Sequence, residues 1–349
     1  MRATMSVAFG LLGSGFMART YAQSLAKHVP DGHLVAVAAG SRAPDLARDY
    51  DVALEESAEA LLARDDLDAV IICTPHSTHL PLTQAAAAAG KHVYIEKPMA
   101  VTVAECDAMI VACQAAGVLL DVNHVTRHRA SPLTAKGLLA DGKIGQLRMV
   151  RVLSPVIGYL PDDHGWAHKD GEGGAWLDMG VHLFDALRWF TDSEVETVFA
   201  SIRDFTGEPH QRRTGLAEAV MANGVLAQVF VSLEMPSPGL GSQSQWTLIG
   251  SDGIIESDSY GKVRLGRGDG WEDIFEMPPF ALNEDVLSPI RLKAFADQTQ
   301  DFAVAVRDGA SPASPAWNGS DGRAAVEIVE AADRSSQTRQ AVALPLAPG

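Results

Sequence analysis

Two stretches of this 349-residue chain put ionisable side chains where they could move protons. In Tyr94-Ile95-Glu96-Lys97-Pro98 a lysine follows a short β-branched run that the proline forbids to continue. A lysine at the carboxyl end of a buried parallel strand sits where open α/β sheets collect ligands, and partial desolvation there makes it usable. The second stretch runs from Gly171 to Phe190. Taken as a helix from about Ala175 it is apolar on most sides, yet Asp178, His182 and Asp185 fall at i, i+4 and i+7 on one stripe. A carboxylate one turn from a histidine can orient the ring and raise its basicity while the ring faces a substrate hydroxyl. A satisfied buried network is the plainer reading of the same stripe, because burying such groups unpaired costs roughly several kcal/mol.

The elements that must position these groups begin at the amino terminus. Val7-Ala8-Phe9-Gly10-Leu11-Leu12 reads as a buried strand, and Gly13-Ser14-Gly15-Phe16-Met17-Ala18 follows it into a helical stretch through Lys27. In this Gly-x-Gly-x-x-Ala turn the first glycine allows the tight bend, the second lets the backbone approach a pyrophosphate, and the small third position lets helix and strand pack closely. Gly13, Gly15, Phe16 and Met17 are therefore expected at a dinucleotide. The next strand, Leu34 to Ala39, ends in Gly40-Ser41-Arg42 where an acidic residue would bind a ribose 2′-hydroxyl. Ser41 and Arg42 could accept a 2′-phosphate, which tips the cofactor toward NADP over NAD.

Asp68 to Cys73 is a further buried strand, and Thr74-Pro75-His76-Ser77-Thr78-His79 closes it over the same crevice. Thr74, Pro75, His76 and His79 are expected to line the cofactor, with Ser77 or Thr78 capping a helix from Pro81 to Ala89. His76 and His79 are three apart, but no nearby carboxylate or cysteine completes a metal set; His164 and His168 also offer only two ligands, so no metal is expected. Glu96 and Lys97 join the cofactor contacts. Thr102-Val103-Ala104-Glu105 is a capping box for a helix that Gly117 ends, and Val118 to Val122 is the last strand of this domain. At its exit, Asn123 is expected at the cofactor, and His124, Arg127 and Arg129 in the substrate wall.

Residues 1–126 thus read as a dinucleotide-binding α/β domain and 127–349 as a second, substrate-binding and oligomerisation domain. Gln146 to Ser154, Val198 to Phe205, Leu216 to Met221, Val225 to Met235, Gln245 to Ile249, Ile254 to Ser257 and Ile274 to Met277 read as strands. Asn223-Gly224 and Asp252-Gly253 are hairpin turns, so the sheet is expected to be mostly antiparallel. Helical stretches at Lys293 to Arg307 and Gly322 to Arg334 either cover that sheet or return to the first domain. Tyr159, Trp166 and Trp176 could stack on a sugar ring or simply pack. Trp166 is placed with Lys97, Asp178 and His182 among the substrate contacts.

Composition narrows the partners. The net charge of −16, with no long basic run, disfavours nucleic acid and anionic membrane surfaces and leaves small molecules and other subunits. No apolar run approaches the ~18 residues of a membrane span, and Met1 to Met5 lacks a secretory pattern, so a cytoplasmic location is expected. Cys73, Cys106 and Cys113 lack metal spacing and suit a reducing compartment, with Cys106 and Cys113 expected to pack inside.

Gly13-Ser14-Gly15-Phe16-Met17-Ala18, Glu96-Lys97-Pro98 and the run from Gly173 to His182 together resemble the glucose-fructose oxidoreductase / inositol dehydrogenase / MocA family, over nearly the whole chain. The resemblance implies an N-terminal Rossmann domain, a C-terminal α/β domain with an open, mostly antiparallel sheet, a nicotinamide cofactor, and a homodimer or homotetramer assembled through that sheet. It implies that Lys97, Asp178 and His182 match the catalytic positions and that the Lys97-Pro98 bond is cis. Arg129 matches an arginine often found in the family, and His128 stands where many members carry another. The substrates implied are sugars, sugar derivatives, cyclic polyols and some dihydrodiols. The expected reaction is reversible oxidation of a secondary hydroxyl: His182 takes the proton, Asp178 orients His182, and Lys97 hydrogen-bonds the developing alkoxide, with Lys97 as proton acceptor the alternative. Relatives that retain the cofactor for redox-assisted glycosidic cleavage, and non-catalytic cofactor-sensing regulators, are the rival readings.

Overall fold

The computed structural model describes residues 6–157, 169, 171–205, 214–236, 238–240, 244–279 and 287–347. Tyr159, His164, Trp166 and His168 lie outside the described residues. The chain divides into two compact units, one from the described parts of Met1–Val125 and Phe280–Arg323, the other from those of Thr126–Pro279 and Ala324–Gly349.

The first unit opens with β1 (Val7–Leu12), α1 (Phe16–Lys27), β2 (Gly32–Ala38), α2 (Ala43–Tyr50), β3 (Ala53–Leu54), α3 (Ala58–Leu62), β4 (Ala69–Ile72), α4 (His79–Ala88), β5 (His92–Ile95), α5 (Val103–Ala116) and β6 (Leu120–Val122). The strands form a parallel sheet in the order β3-β2-β1-β4-β5-β6. β1 and β4 are continuous apolar runs buried along their length, as strands covered on both faces must be. The order reverses between β1 and β4, which puts the switch point, where such sheets bind ligands, beside Gly13 and Cys73. α5 starts on the expected capping box, Thr102 accepting from the Glu105 N–H, and ends at Gly117 in the left-handed region.

The second unit contains α6 (Ala130–Ala140), β7 (Leu147–Ile157), α7 (Gly174–Thr191), β8 (Val195–Arg203), β9 (Thr214–Met221), β10 (Leu226–Met235), β11 (Gln245–Gly250), β12 (Ile254–Asp258), β13 (Lys262–Arg267) and β14 (Gly270–Glu276). α8 (Pro289–Arg307), α9 (Ser320–Thr338) and β15 (Val342–Ala343) complete the chain. Among the described residues the sheet has nine strands, ordered β14-β13-β12-β11-β7-β10-β9-β8-β15, all antiparallel pairs except β7 with β10. The Asn223-Gly224 and Asp252-Gly253 turns join β9 to β10 and β11 to β12. β13 was not anticipated: its charged positions mask an alternation that buries Val263 and Leu265.

One face of this sheet is covered by α7. Trp176 is fully buried there, where a Cβ on Gly215 would collide with its ring, so of its two readings packing is the one realised. The opposite face carries Met149, Val220 and Leu226 in one cross-strand row and Leu216 in another, each partly exposed.

The expected contiguous second domain is corrected at α8. Its Phe302 packs on Phe9 and Tyr94 at centroid distances of 6.3 and 5.5 Å, and its Phe295 stands edge-on to Tyr21 at 6.0 Å. The helix therefore completes the core of the first unit, because its aromatic stripe matches the apolar side of that sheet.

Candidate active site

The parallel sheet delivers the expected cofactor residues to one edge, the carboxyl ends of β1, β2, β4, β5 and β6. Gly13 has φ +116, and a Cβ there would run into the Cys73 carbonyl, so the bend admits only glycine. Gly15 differs. Its φ of −79 suits any residue, and a Cβ there would find only Arg42 Nη2, at 3.9 Å. No protein atom requires glycine at this position, which is the mark of a backbone that a ligand approaches closely. α1 has no acidic residue in its first turn and no side-chain cap, so its leading N–H groups and positive dipole end suit an anion. These residues fit a dinucleotide.

The segment after β2 is tied to this turn. Arg42 N–H donates to Ser14 Oγ at 3.1 Å, and a Cβ on Gly40 would strike the same hydroxyl. Ala39 and Gly40 both take positive φ, which turns the chain back over the glycine turn and leaves Ser41 and Arg42 exposed.

Two expectations at the β4 exit need correction. His79 is fully buried; Nδ1 lies 3.0 Å from the Pro98 carbonyl and 3.3 Å from that of Met99, and Nε2 lies 3.0 Å from the Thr74 carbonyl. It clasps two loops from behind, and burial, with His76 beside it, pushes its pKa down to about 4. Thr78 precedes α4 but does not cap it through its side chain: its Oγ is bonded to Thr74 Oγ1 and donates to the Pro75 carbonyl, both at 2.6 Å. His76 is buried edge-on to His79 in a short 3₁₀ turn.

Lys97 is half-buried at the end of β5, and the Lys97-Pro98 bond is cis. The Glu96 side chain turns inward and is held by three hydrogen bonds. Glu96 Oε1 accepts from Tyr21 OH at 2.6 Å and from Asn123 Nδ2 at 2.8 Å, and Oε2 accepts from the Lys97 N–H at 3.1 Å. Burial pushes this carboxyl up, opposed by the Lys97 charge and by these hydrogen bonds. The network orients Asn123, whose Nδ2 donates one N–H to Glu96, while its buried Oδ1 has no partner among the described residues. An unfilled acceptor of this kind awaits a donor from outside the chain. His124 is buried, its N–H donating to Gln298 Oε1 at 3.1 Å.

Asp178, His182, Arg127 and Arg129 belong to the second unit. Asp178 and His182 are half-buried on successive turns of α7, held by a helix whose other sides are core. Asp185, on the same stripe, is 1% exposed and clamped by Arg127, whose Nε reaches Oδ2 at 2.9 Å while Nη2 binds Oδ1. For Asp185 the buried pair is the reading realised, with the Nε and Nη2 of Arg127 engaged in it. The Arg129 guanidinium lies 4.2 Å over the Tyr260 ring.

Against known proteins, residues 7–124 match the family described as oxidoreductase family, NAD-binding Rossmann fold, and residues 133–256 match the GFO/IDH/MocA C-terminal domain. The chain belongs to the GFO/IDH/MocA family. It is 30% identical over 319 residues to dTDP-3,4-didehydro-2,6-dideoxy-alpha-D-glucose 3-reductase of Streptomyces antibioticus, covering 86% of this chain and 89% of that protein. It is 27% identical to inositol 2-dehydrogenase of Rhizobium meliloti strain 1021, over 97% of this chain and all of that one. A solved oxidoreductase from Agrobacterium radiobacter, in complex with NAD+, L-tartaric acid and magnesium, superposes with a TM-score of 0.85 over 97% of this chain and 98% of that one; at 20% identity this likeness concerns the fold.

As a GFO/IDH/MocA protein the chain is an oxidoreductase whose Rossmann unit takes a nicotinamide cofactor. Sequence reasoning missed Tyr21, Gln298 and Arg291. All three are buried polar groups whose partners are distant in sequence, and only their polarity amid apolar helical neighbours signalled them. Among the described residues no three His, Cys, Asp or Glu side chains converge as metal ligands, and no helix is long and apolar enough to cross a membrane.

Proposed function

We propose that this protein reversibly oxidises a secondary hydroxyl of a sugar, glycoside or cyclic polyol, with NADP preferred over NAD. The observation that carries the reading is the Gly15 turn, open to a ligand and overhung by Arg42, on the same strand edge as Lys97. When bound, the nicotinamide cofactor supplies the hydride acceptor for oxidation and the donor for reduction. Gly13, Gly15, Phe16 and Met17 hold its pyrophosphate, Ser41 and Arg42 its 2′-phosphate, and Thr74, Pro75 and Asn123 its other end. His182 takes the hydroxyl proton on a ring nitrogen, Asp178 orients that ring, and Lys97 Nζ donates a hydrogen bond to the oxygen as it becomes alkoxide.

The test is absorbance in the reduced-nicotinamide band as the protein meets NADP or NAD with inositols, hexoses, glycosides, dihydrodiols and nucleotide-linked deoxysugars. A rise with one cofactor and one substrate class supports a dehydrogenase. No rise, with cofactor released only on denaturation, would replace it with a cofactor-retaining lyase or glycosidase cycle. Arg42→Ala should weaken NADP binding about 10- to 100-fold and leave NAD binding within about threefold, the range of a charge-assisted phosphate contact. An equal loss for both dinucleotides would count against the 2′-phosphate assignment.

A second copy of the chain is the proposed cover for the open face of the nine-stranded sheet. The apolar rows of Val220, Leu226 and Met149 and of Leu216, Phe230 and Leu153 flank a row with Glu218, Arg151, Glu256 and Arg264. That row carries both signs of charge on a chain of net −16, so two copies meet there with little repulsion. Met149→Glu with Leu226→Glu should lower the mass found by light scattering to that of a smaller assembly; an oligomer of unaltered mass would place the interface elsewhere.

A further inference from the structure

We propose that Arg291, on α8, is a positioning residue of the dinucleotide site, acting on the first turns of α1; this rests on the cofactor reading above. Arg291 is 5% exposed, and its guanidinium is sandwiched, its carbon 4.5 Å from the Phe16 ring centroid and 4.7 Å from that of Phe295. Nη1 donates to Thr20 Oγ1 at 3.0 Å, and Nη2 lies 3.6 Å from Met17 Sδ. It thus grips residues 16, 17 and 20, the turns that directly follow the open Gly15 position.

The placement is electrostatically specific. A cation beside the N-terminal end of a helix adds to the positive pole of the dipole, and α1 has no acidic residue in its first turn to offset it. Such a pairing weakens the helix end by itself and strengthens it once an anion docks there. A pyrophosphate is an anion of the required charge, and the planar stack on Phe16 fixes the turn that receives it. Seven positions along the same helix, Gln298 holds the exit of β6, its Nε2 donating to the Val122 carbonyl at 2.9 Å and its Oε1 accepting from the His124 N–H at 3.1 Å. One stripe of α8 therefore braces both the phosphate turn and the loop that carries Asn123.

The experiment titrates NAD, NADP and ADP-ribose into the wild-type protein, Arg291→Met, Arg291→Lys and the exposed control Lys293→Met, with melting temperatures recorded alongside. Arg291→Met should weaken all three ligands by a common factor of about tenfold or more. Arg291→Lys should fall between, kcat at saturating cofactor should change less than about threefold, and Lys293→Met should match the wild type. The common factor separates this residue from Arg42, whose loss touches NADP alone. If Arg291→Met binds as well as the wild type, or better than Arg291→Lys, the side chain only packs and the proposal is overturned. Should Arg291→Met fail to fold, Arg291→Lys decides: a shared loss supports the proposal and unchanged affinity overturns it. A wild-type protein that binds none of the three ligands would sink the cofactor reading first.

Discussion

Replacing Lys97 by alanine should lower turnover by about 10²- to 10⁴-fold, the range for losing a positioned proton-transfer or hydrogen-bonding group, while cofactor affinity stays within a few-fold. The separation follows from how the loop is held. The Lys97 N–H is bonded to Glu96, which Tyr21 and Asn123 grip in turn, and none of these contacts uses the lysine ammonium. Alanine therefore removes the charge and leaves the main chain in place. One electrostatic side effect follows. The Lys97 charge opposes the upward push of burial on Glu96, so the variant should protonate Glu96 at higher pH. A buried carboxyl raised in this way is most favourable to the fold while protonated, and its contribution is lost as pH rises through the folded-state pKa. Combining Lys97→Ala with His182→Ala tests whether both serve one step: turnover losses well short of multiplicative mark a shared function. Equal losses of turnover and cofactor affinity would remove Lys97 from the chemistry.

Asp185→Ala should cost about 3 kcal/mol of stability, the lower part of the range for breaking a buried ion pair, because the Arg127 side chain is 23% exposed and water recovers part of the loss. The carboxylate accepts two bonds from one guanidinium, and without it that fork is stranded against the core helix. Arg127→Met with Asp185→Leu should recover most of the deficit, since apolar replacement of both partners leaves no stranded charge. Denaturant midpoints measure each variant. Turnover at low temperature should be retained, and a specific collapse of turnover in folded Asp185→Ala would return Asp185 to the active stripe.

This pair also marks where the sequence stops being legible. Asp178, His182 and Asp185 share a helical stripe, and periodicity assigns them one side. It does not say that Arg127, 58 positions earlier, ends on the last of them. The glycine turn, the Thr102-Glu105 box and the two Gly hairpins were readable because backbone sterics and local hydrogen bonds act within a few residues. The inward turn of Glu96 was not, because Tyr21 lies 75 positions away and nothing local distinguishes a buried carboxylate from one at a ligand. His79 was misassigned for a related reason: two carbonyls from the loop at Pro98 and Met99 claim it. The fate of α8 was open for want of contrast, since an aromatic stripe suits either sheet.

That helix bears on how the protein is made. The ribosome releases β1 to β6 early, but the aromatic stripe that seals their core lies some 170 residues further on, in Phe295 and Phe302. At the usual ~5–20 residues per second the nascent sheet waits on the order of ten to thirty seconds with the Tyr21 and Tyr94 surface uncovered. During that interval its apolar face is unsealed, and a gene cut near residue 126 would leave that face exposed permanently.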